Sequence, residues 1–177
     1  MSQFFSIRPA GPEDAPGIAR VQVDAWRDTY AGLLPADHLV GLNASAQAIA
    51  WARRLGPNTG RCTTLIAVAE DMIVGFASFG TARKERPSGE AEIYSLYVET
   101  DWRDRGVGRA LLTGSFAALE KNGHAKVSIW SLEGNMAAVG FYRHMGGTPI
   151  GQRLAESVGG KNQPIIGFLW HLAPTKK

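Results

Sequence analysis

Cysteine is almost absent from this sequence, since Cys62 is the only one among 177 residues. A single thiol cannot form an internal disulfide framework or a cysteine-rich metal site, and it suits a reducing compartment. The His-Glu-x-x-His pattern of zinc proteases and the Gly-x-Ser-x-Gly pattern of serine hydrolases are also missing. We therefore expect no metal cofactor and neither of these hydrolase chemistries.

Long apolar runs and a strong excess of one charge are missing as well. No run approaches the ~20 apolar residues that span a bilayer, and the first residues lack the features of a signal peptide. The net charge of +3, from 19 Lys and Arg against 16 Asp and Glu, is too mild to indicate a nucleic-acid partner. We expect a cytoplasmic protein that binds neither membrane nor nucleic acid.

The composition is that of one folded core. Hydrophobic residues make up 45% of the chain and charged residues 20%, and a domain of ~150 residues buries roughly 68–70% of its unfolded surface. No repeat, low-complexity segment or long Pro/Gly/Ser linker divides the chain. We expect a single domain over residues 1–177, as a monomer or homodimer.

Apolar periodicity predicts strands and helices in an irregular alternation. The predicted strands cover residues 4–8, 64–69, 73–79, 92–98, 126–132, 148–154 and 164–170. The first predicted helix begins near residues 11–14 and continues to about Tyr30. Three further helices are predicted over about residues 36–55, 109–121 and 135–145. A polar loop from Ala155 to Gln163 joins the last two strands. This order indicates a mixed α/β sheet with helices on it, not a doubly wound sheet.

The clearest chemical pattern lies between a strand and a helix, at Arg103, Asp104, Arg105, Gly106, Val107, Gly108 and Arg109. Glycines let backbone N–H groups approach a ligand, and a helix start adds unpaired N–H donors and about half a positive charge. With three arginines around it, this turn is suited to a phosphate or pyrophosphate. The alternative is a tight turn with solvated arginines.

Two common phosphate motifs do not fit the sequence. Leu111 stands where the dinucleotide-binding fingerprint needs its last glycine. The nucleoside-triphosphate loop is absent too, because Gly159-Gly160-Lys161 continues with Asn162 instead of Ser or Thr.

Arg-x-x-Gly-x-Gly between a strand and a helix resembles the pyrophosphate loop of the GNAT superfamily of N-acetyltransferases, which use acetyl-CoA. Three further segments resemble that family, and all four stand in the correct order. They are Trp26 with Thr29-Tyr30 and Gly32-Leu33-Leu34-Pro35, then Leu96-Tyr97-Val98, and finally Asn135 with Ala138, Phe141-Tyr142 and Gly146-Gly147.

The resemblance implies a fold, a reaction and a set of cofactor contacts. The fold is α/β (α+β), with a mixed, mostly antiparallel sheet of about six or seven strands, a splayed fourth strand and about four helices. The reaction moves the acetyl group of acetyl-CoA to a primary amine of a small molecule or peptide by direct attack in a ternary complex. The cofactor contacts come from the turn at residues 103–109, from Asn135, and from the backbone of Leu96, Tyr97 and Val98.

Glu92 and Tyr142 are the predicted catalytic residues. Ala91-Glu92-Ile93 matches the spacing of the histone-acetyltransferase branch, in which the glutamate is the base. Apolar surroundings would raise the pKa of Glu92 above its ordinary value of ~4.3. The alternative is a solvent-facing carboxylate, with Glu90 or a water chain in its place. Tyr142 resembles the family's tyrosine that donates a hydrogen bond to the leaving sulfur, and its alternative is a core residue.

The acceptor site is the least determined part of the prediction. Tyr30, together with Glu92, is predicted to contact the substrate, and the loop from Ala155 to Gln163 is predicted to line the cleft or act as a mobile lid. A module that binds CoA or a nucleotide without turnover stays open, as does transfer of another acyl group such as succinyl. The acceptor itself could be a polyamine, an amino acid, an antibiotic or a protein N-terminus.

Overall fold

The computed structural model describes residues 4–56, 62–86 and 90–172. The strands are β1 Ser6–Pro9, β2 Cys62–Ala69, β3 Met72–Thr81, β4 Ala91–Val98, β5 Lys126–Leu132, β6 Thr148–Val158 and β7 Lys161–His171. The α-helices are α1 Ala15–Tyr30, α2 Ala36–Val40, α3 Ala44–Leu55, α4 Val107–Lys121 and α5 Met136–His144. Every predicted strand is present.

The strands form one mixed sheet in the order β1-β2-β3-β4-β5-β7-β6. Neighbouring strands are antiparallel except β4 and β5, which are parallel. In β3 every residue from Ile73 to Phe79 is buried, as expected for a strand covered on both faces. The predicted fold class is confirmed.

Helices cover both faces of the sheet. On one face, Leu111 of α4 and Val139 of α5 belong to the largest hydrophobic cluster. On the other face, Ile18 of α1 and Trp51 of α3 pack with Phe76 of β3. The sheet is therefore the middle of three layers, and β4 and β5 lie inside it rather than at an edge.

A bulge in β4 opens the sheet beside β5. Ser95 pairs with Ser78, whereas Ile93 pairs with the next β3 residue, Phe79, so Tyr94 is an extra residue on β4. A bulge of this kind bends a strand and increases its local twist. The first three residues of β4 pair with β5, and the pairing ends at Ile93. The two strands then diverge, as predicted for a splayed fourth strand.

The prediction of one helix from about Ala36 to Leu55 is wrong in its middle. α2 and α3 are separated by the segment Gly41–Asn43. The side-chain oxygen of Asn43 accepts a hydrogen bond from the backbone N–H of Ala46 at 3.1 Å, and this bond caps the start of α3. A glycine followed by an N-capping asparagine ends one helix and begins another.

The prediction of a loop or lid from Ala155 to Gln163 is also wrong. Residues 155–158 pair with residues 161–164, so β6 and β7 continue as a hairpin. The turn consists of Gly159 and Gly160, with φ angles of 60° and 76°. Two glycines with positive φ form a tight two-residue hairpin turn, and the polar residues around them are strand residues.

Candidate active site

A cavity of about 760 Å³ lies where β4 and β5 diverge. Its walls come from the end of α1, from β4 and β5, from the turn before α4, and from α5. Gly106 and Gly108 mark one end, which we call the α4 end. Tyr94 of β4 and Trp130 of β5 mark the other, which we call the aromatic end. The volume suits a small-molecule ligand.

The turn before α4 has the features of an anion site. Gly106 is the N-cap of α4 and has a φ of 84°, a left-handed conformation that favours glycine. The first backbone N–H groups of a helix have no partner within the helix, and the helix dipole is positive there. Arg103 and Arg109 line the cavity at the same end. The arrangement fits phosphate oxygens.

Not every predicted cofactor residue in this turn lines the cavity. The Arg105 guanidinium lies 5.0 Å from the centre of the Trp102 ring, and Arg105 is not a lining residue. Val107 is fully buried in the core. Asp104 does line the cavity, with a φ of 58° that Asp adopts more readily than most residues. The structure thus brings two of the three predicted arginines to the cavity.

The predicted backbone contacts of β4 lie along the cavity. Leu96, Tyr97 and Val98 all line it. Because pairing with β5 ends at Ile93, the backbone groups on that edge of β4 are open to a ligand. Leu96 and Val98 pack toward α4, whereas the Tyr97 ring lies 5.6 Å from that of Phe76 on the opposite face. This backbone can therefore serve a ligand while its side chains stabilise the core.

Tyr30 and Asn135 both line the cavity and link α1 with α5. The side-chain oxygen of Asn135 accepts a hydrogen bond from the N–H of Ala138 at 3.1 Å, which caps α5. Burial raises the pKa of Tyr30, while interactions with Tyr97 and Asn135 act in the opposite direction. Burial also raises the pKa of Tyr97, well above its ordinary value. Both hydroxyls therefore keep their protons near neutral pH.

Tyr142 lines the cavity while most of its ring lies in the core. It is 5% exposed and packs against Phe141, Phe168 and Trp170, with ring centres 5.5, 5.7 and 6.2 Å away. Burial raises the pKa of Tyr142 above its ordinary value, so the hydroxyl remains a proton-bearing donor. Its packing fits the core alternative, and its place on the cavity fits the predicted role.

Glu92, like Arg105 and Val107, is a predicted site residue that does not line the cavity. It is 0% exposed, so the alternative of a solvent-facing carboxylate is wrong. Its carboxylate accepts hydrogen bonds from the backbone N–H of Arg83 at 3.0 Å and from the Arg83 guanidinium at 2.5 Å. The Nε atom of Arg86 lies 3.7 Å away. The prediction of apolar surroundings for Glu92 is wrong, because two guanidinium groups lie beside its carboxylate.

Two residues of the cavity were missed or given no role from the sequence. Trp130 reads as an ordinary strand residue, and only the divergence of β4 from β5 places it on the cavity. His144 lines the α4 end, where its Nε2 lies 3.4 Å from a guanidinium nitrogen of Arg109. This contact depends on how α4 and α5 pack, which no local pattern shows.

Two further features concern membranes and metals. Within residues 4–56, 62–86 and 90–172, no helix is both long and apolar enough to cross a membrane. The same described residues contain no group of three or more His, Cys, Asp or Glu side chains placed to hold a metal ion.

The chain is similar to several curated proteins along most of its length. It is 33% identical over 173 residues to the uncharacterized N-acetyltransferase YuaI of Bacillus subtilis. This alignment covers 94% of this chain and 93% of that protein. It is 34% identical over 154 residues to the L-methionine sulfoximine/L-methionine sulfone acetyltransferase of Pseudomonas paraeruginosa. This alignment covers 83% of this chain and 82% of that protein.

Solved structures and a family model also match this chain. A GCN5-related N-acetyltransferase from Rhodopseudomonas palustris has a TM-score of 0.73 at 25% identity and covers 94% of this chain and 95% of that one. The PaiA N-acetyltransferase of Thermoplasma acidophilum, solved with coenzyme A, has a TM-score of 0.68 at 19% identity and covers 94% and 98%. Residues 24–146 match the acetyltransferase (GNAT) family. This chain therefore belongs to the GNAT family and is an acetyltransferase.

Proposed function

We propose that this protein transfers the acetyl group of acetyl-CoA to a primary amine of a small molecule or peptide, by direct attack in a ternary complex. One observation carries the proposal. A single cavity runs from the start of α4, beside Arg103 and Arg109, along the edge of β4 that β5 leaves unpaired, to the aromatic end. That sequence of surfaces matches the pyrophosphate, the pantetheine arm and the thioester of acetyl-CoA, followed by the amine.

The residues at the α4 end fit the cofactor. The N–H groups at the start of α4, with Arg103 and Arg109, would hold the pyrophosphate. The open edge of β4 from Leu96 to Val98 would hydrogen-bond the amides of the pantetheine arm. Bound in this way, acetyl-CoA supplies an activated thioester.

In the proposed reaction a C–N bond forms and the thioester C–S bond breaks. The nitrogen loses a proton, and the sulfur leaves as a thiolate that a proton later neutralises. Backbone N–H groups between Leu96 and Val98 are the proposed donors to the developing oxyanion. Tyr142 is the proposed hydrogen-bond donor to the sulfur. Because burial raises the pKa of Tyr142, it donates a hydrogen bond and not a full proton.

The aromatic end is the proposed entrance for the amine. Tyr30, Tyr94 and Trp130 are uncharged lining residues in this part of the cavity, and aromatic faces attract alkylammonium groups. The charged residues of the described lining belong to the α1 terminus and the α4 turn, namely Asp28, Arg103, Asp104 and Arg109. The base role of Glu92 stays a prediction, and the variants described below test it.

The test is turnover with a panel of amines in the presence of acetyl-CoA. The panel contains a polyamine, common amino acids, a peptide with a free N-terminus, and L-methionine sulfone, which the name of the Pseudomonas relative suggests. We expect release of CoA thiol and the gain of one acetyl group by mass spectrometry. Tight CoA binding without turnover on any amine would favour the non-catalytic alternative. A faster reaction with succinyl-CoA would favour another acyl group.

A further inference from the structure

Four charged residues form an ion-pair cluster beside the aromatic end: Arg83, Arg86, Glu92 and Glu156. Arg83 and Arg86 follow β3, Glu92 lies in β4, and Glu156 lies in β6. A guanidinium nitrogen of Arg86 donates to Glu156 at 2.5 Å, and one of Arg83 lies 3.6 Å from the same carboxylate. The cluster therefore connects β4, in the middle of the sheet, with β6 at its edge.

The position of Glu92 in this cluster is that of a structural anion. Its carboxylate is fully buried and bonded to Arg83 through both the backbone and the side chain. A buried charge is stable only when it is paired and hydrogen-bonded. Two arginines and two glutamates balance, so the cluster carries no net formal charge.

Arg86 links this cluster to the wall of the cavity. Its side chain is only 8% exposed, and its guanidinium lies 5.3 Å from the centre of the Trp130 ring. Trp130 lines the aromatic end and pairs in register with Gly167 of β7. A Cβ atom at Gly167 would lie 2.7 Å from the Trp130 ring, so the ring sits directly on the neighbouring strand. Arg86 and Gly167 together restrict the orientation of the ring.

Glu156 lies in the hairpin that packs behind the same wall. The pairing of β6 with β7 is interrupted between Ile150 and Leu154, so the outer part of the hairpin follows a break in the ladder. Leu154 and Val158, like Trp130, pack on the cluster that contains Tyr30. The ion pairs of Glu156 hold this outer part to β4 independently of the interrupted ladder.

We propose that Glu92 and Glu156 are positioning residues that set the affinity for the amine acceptor. Through Arg83 and Arg86 they fix the Trp130 ring and the outer β6–β7 hairpin against α1. The proposal rests on the proposed function, because it takes the aromatic end as the place where the amine binds. It gives Glu92 a task that needs no contact with the reacting atoms.

The test uses the full-length variants Glu92→Gln and Glu156→Gln, with Glu85→Gln as the matched control. Glu85 lies in the same segment as the two arginines, is exposed, and makes no ion pair among the described residues. For Glu156→Gln we expect the KM for the amine to rise about twofold to fivefold, as for a half-exposed ion pair. The affinity for acetyl-CoA should not change. Glu92→Gln should raise the same KM further, by roughly tenfold or more, because its partners are left unpaired.

The pH dependence separates a positioning role from a base role. If Glu92 has a positioning role, the ratio of the variant's KM to the wild-type KM stays constant as the pH rises. If Glu92 is the base, its loss lowers kcat, and this defect shrinks at high pH because the amine arrives deprotonated. Normal kinetics for Glu156→Gln, together with a kcat defect of Glu92→Gln that shrinks at high pH, would overturn the proposal and make Glu92 the base.

Backbone hydrogen exchange gives a readout that needs no turnover. In the ligand-free protein, Glu156→Gln should speed exchange in residues 154–165 by about threefold or more and leave α4 unchanged. This exchange measurement can be made even if the wild-type protein acetylates no amine in the panel. The positioning proposal and the proposed acetyltransferase function can therefore fail separately. Unchanged exchange in the hairpin would overturn the positioning role. Because this test uses only Glu156→Gln, it can be carried out even if Glu92→Gln does not fold.

Discussion

Gly108 of α4 faces the ring of Phe141 in α5, and a Cβ atom on Gly108 would lie 3.4 Å from the ring, an ordinary van der Waals contact. A Cβ atom therefore fits at this position. Gly108→Glu would put a carboxylate into the proposed pyrophosphate site. We expect the affinity for CoA to fall more than tenfold, or about 1.4 kcal/mol, as measured by isothermal calorimetry.

Gly140→Glu is the matched control for this substitution. Gly140 lies on the exposed side of α5, has open space around it, and does not line the cavity. The same change of charge and size there should leave CoA affinity unaltered. Equal affinities for the two variants, with both folded, would contradict the assignment of the α4 turn to the pyrophosphate.

Tyr142→Phe removes one hydroxyl and retains the ring that packs against Phe141, Phe168 and Trp170. Because the proposed hydrogen bond to sulfur strengthens as the thiolate forms, its loss should lower kcat and leave the affinity for acetyl-CoA unchanged. We expect a decrease of ~10²-fold or less, the low end for a general acid. Steady-state kinetics and calorimetry on one identified amine provide the measurement. A variant with normal kcat and lower stability would show that Tyr142 serves only the core.

Gly167→Ala is expected to disturb the aromatic end alone. The added Cβ would lie 2.7 Å from the Trp130 ring, so the ring must move. We expect a higher KM for the amine and an unchanged affinity for acetyl-CoA, in the same direction as the effect of Glu156→Gln. Gly151→Ala is the control, because a Cβ on Gly151 meets nothing within 4 Å. A KM unchanged by Gly167→Ala would show that the Trp130 ring does not contact the amine.

The fold and the α4 end could be predicted from sequence because their determinants are local. Strand periodicity and the Arg103–Arg109 run were sufficient for them. The aromatic end could not be predicted, because Trp130 reaches the cavity only through the bulge at Tyr94, a long-range feature of pairing. The partners of Glu92 were missed for the same reason. Arg83 and Arg86 lie in a polar segment that looks like a solvated loop, and tertiary packing buries Arg86.

Ionisation of the cavity tyrosines should not lower turnover below about pH 10, so the pH–rate profile should show no descending limb from these groups in that range. Burial raises the pKa values of Tyr30, Tyr97 and Tyr142 above the ordinary value, so these groups remain protonated through that range. The rate should therefore rise with pH as the amine, with a pKa near ~10, loses its proton. A pH–rate profile of kcat/KM measures this. A descending limb between about pH 8 and 9 that disappears in Tyr142→Phe would contradict the expected pKa direction.

The stability of the fold should fall at alkaline pH for the same physical reason. Below about pH 10, Tyr142 is protonated in both the folded and the unfolded chain, so its ionisation contributes nothing to the pH dependence of stability. Above that pH the unfolded chain releases the proton, whereas burial keeps it on the folded protein. Each such tyrosine then lowers the free energy of unfolding by up to about 1.4 kcal/mol per pH unit, until the raised folded pKa is reached. Urea unfolding at about pH 8 and pH 11 should show a smaller alkaline loss for Tyr142→Phe than for the wild type. An equally steep loss in both proteins would mean that the Tyr142 hydroxyl is solvated in the folded state.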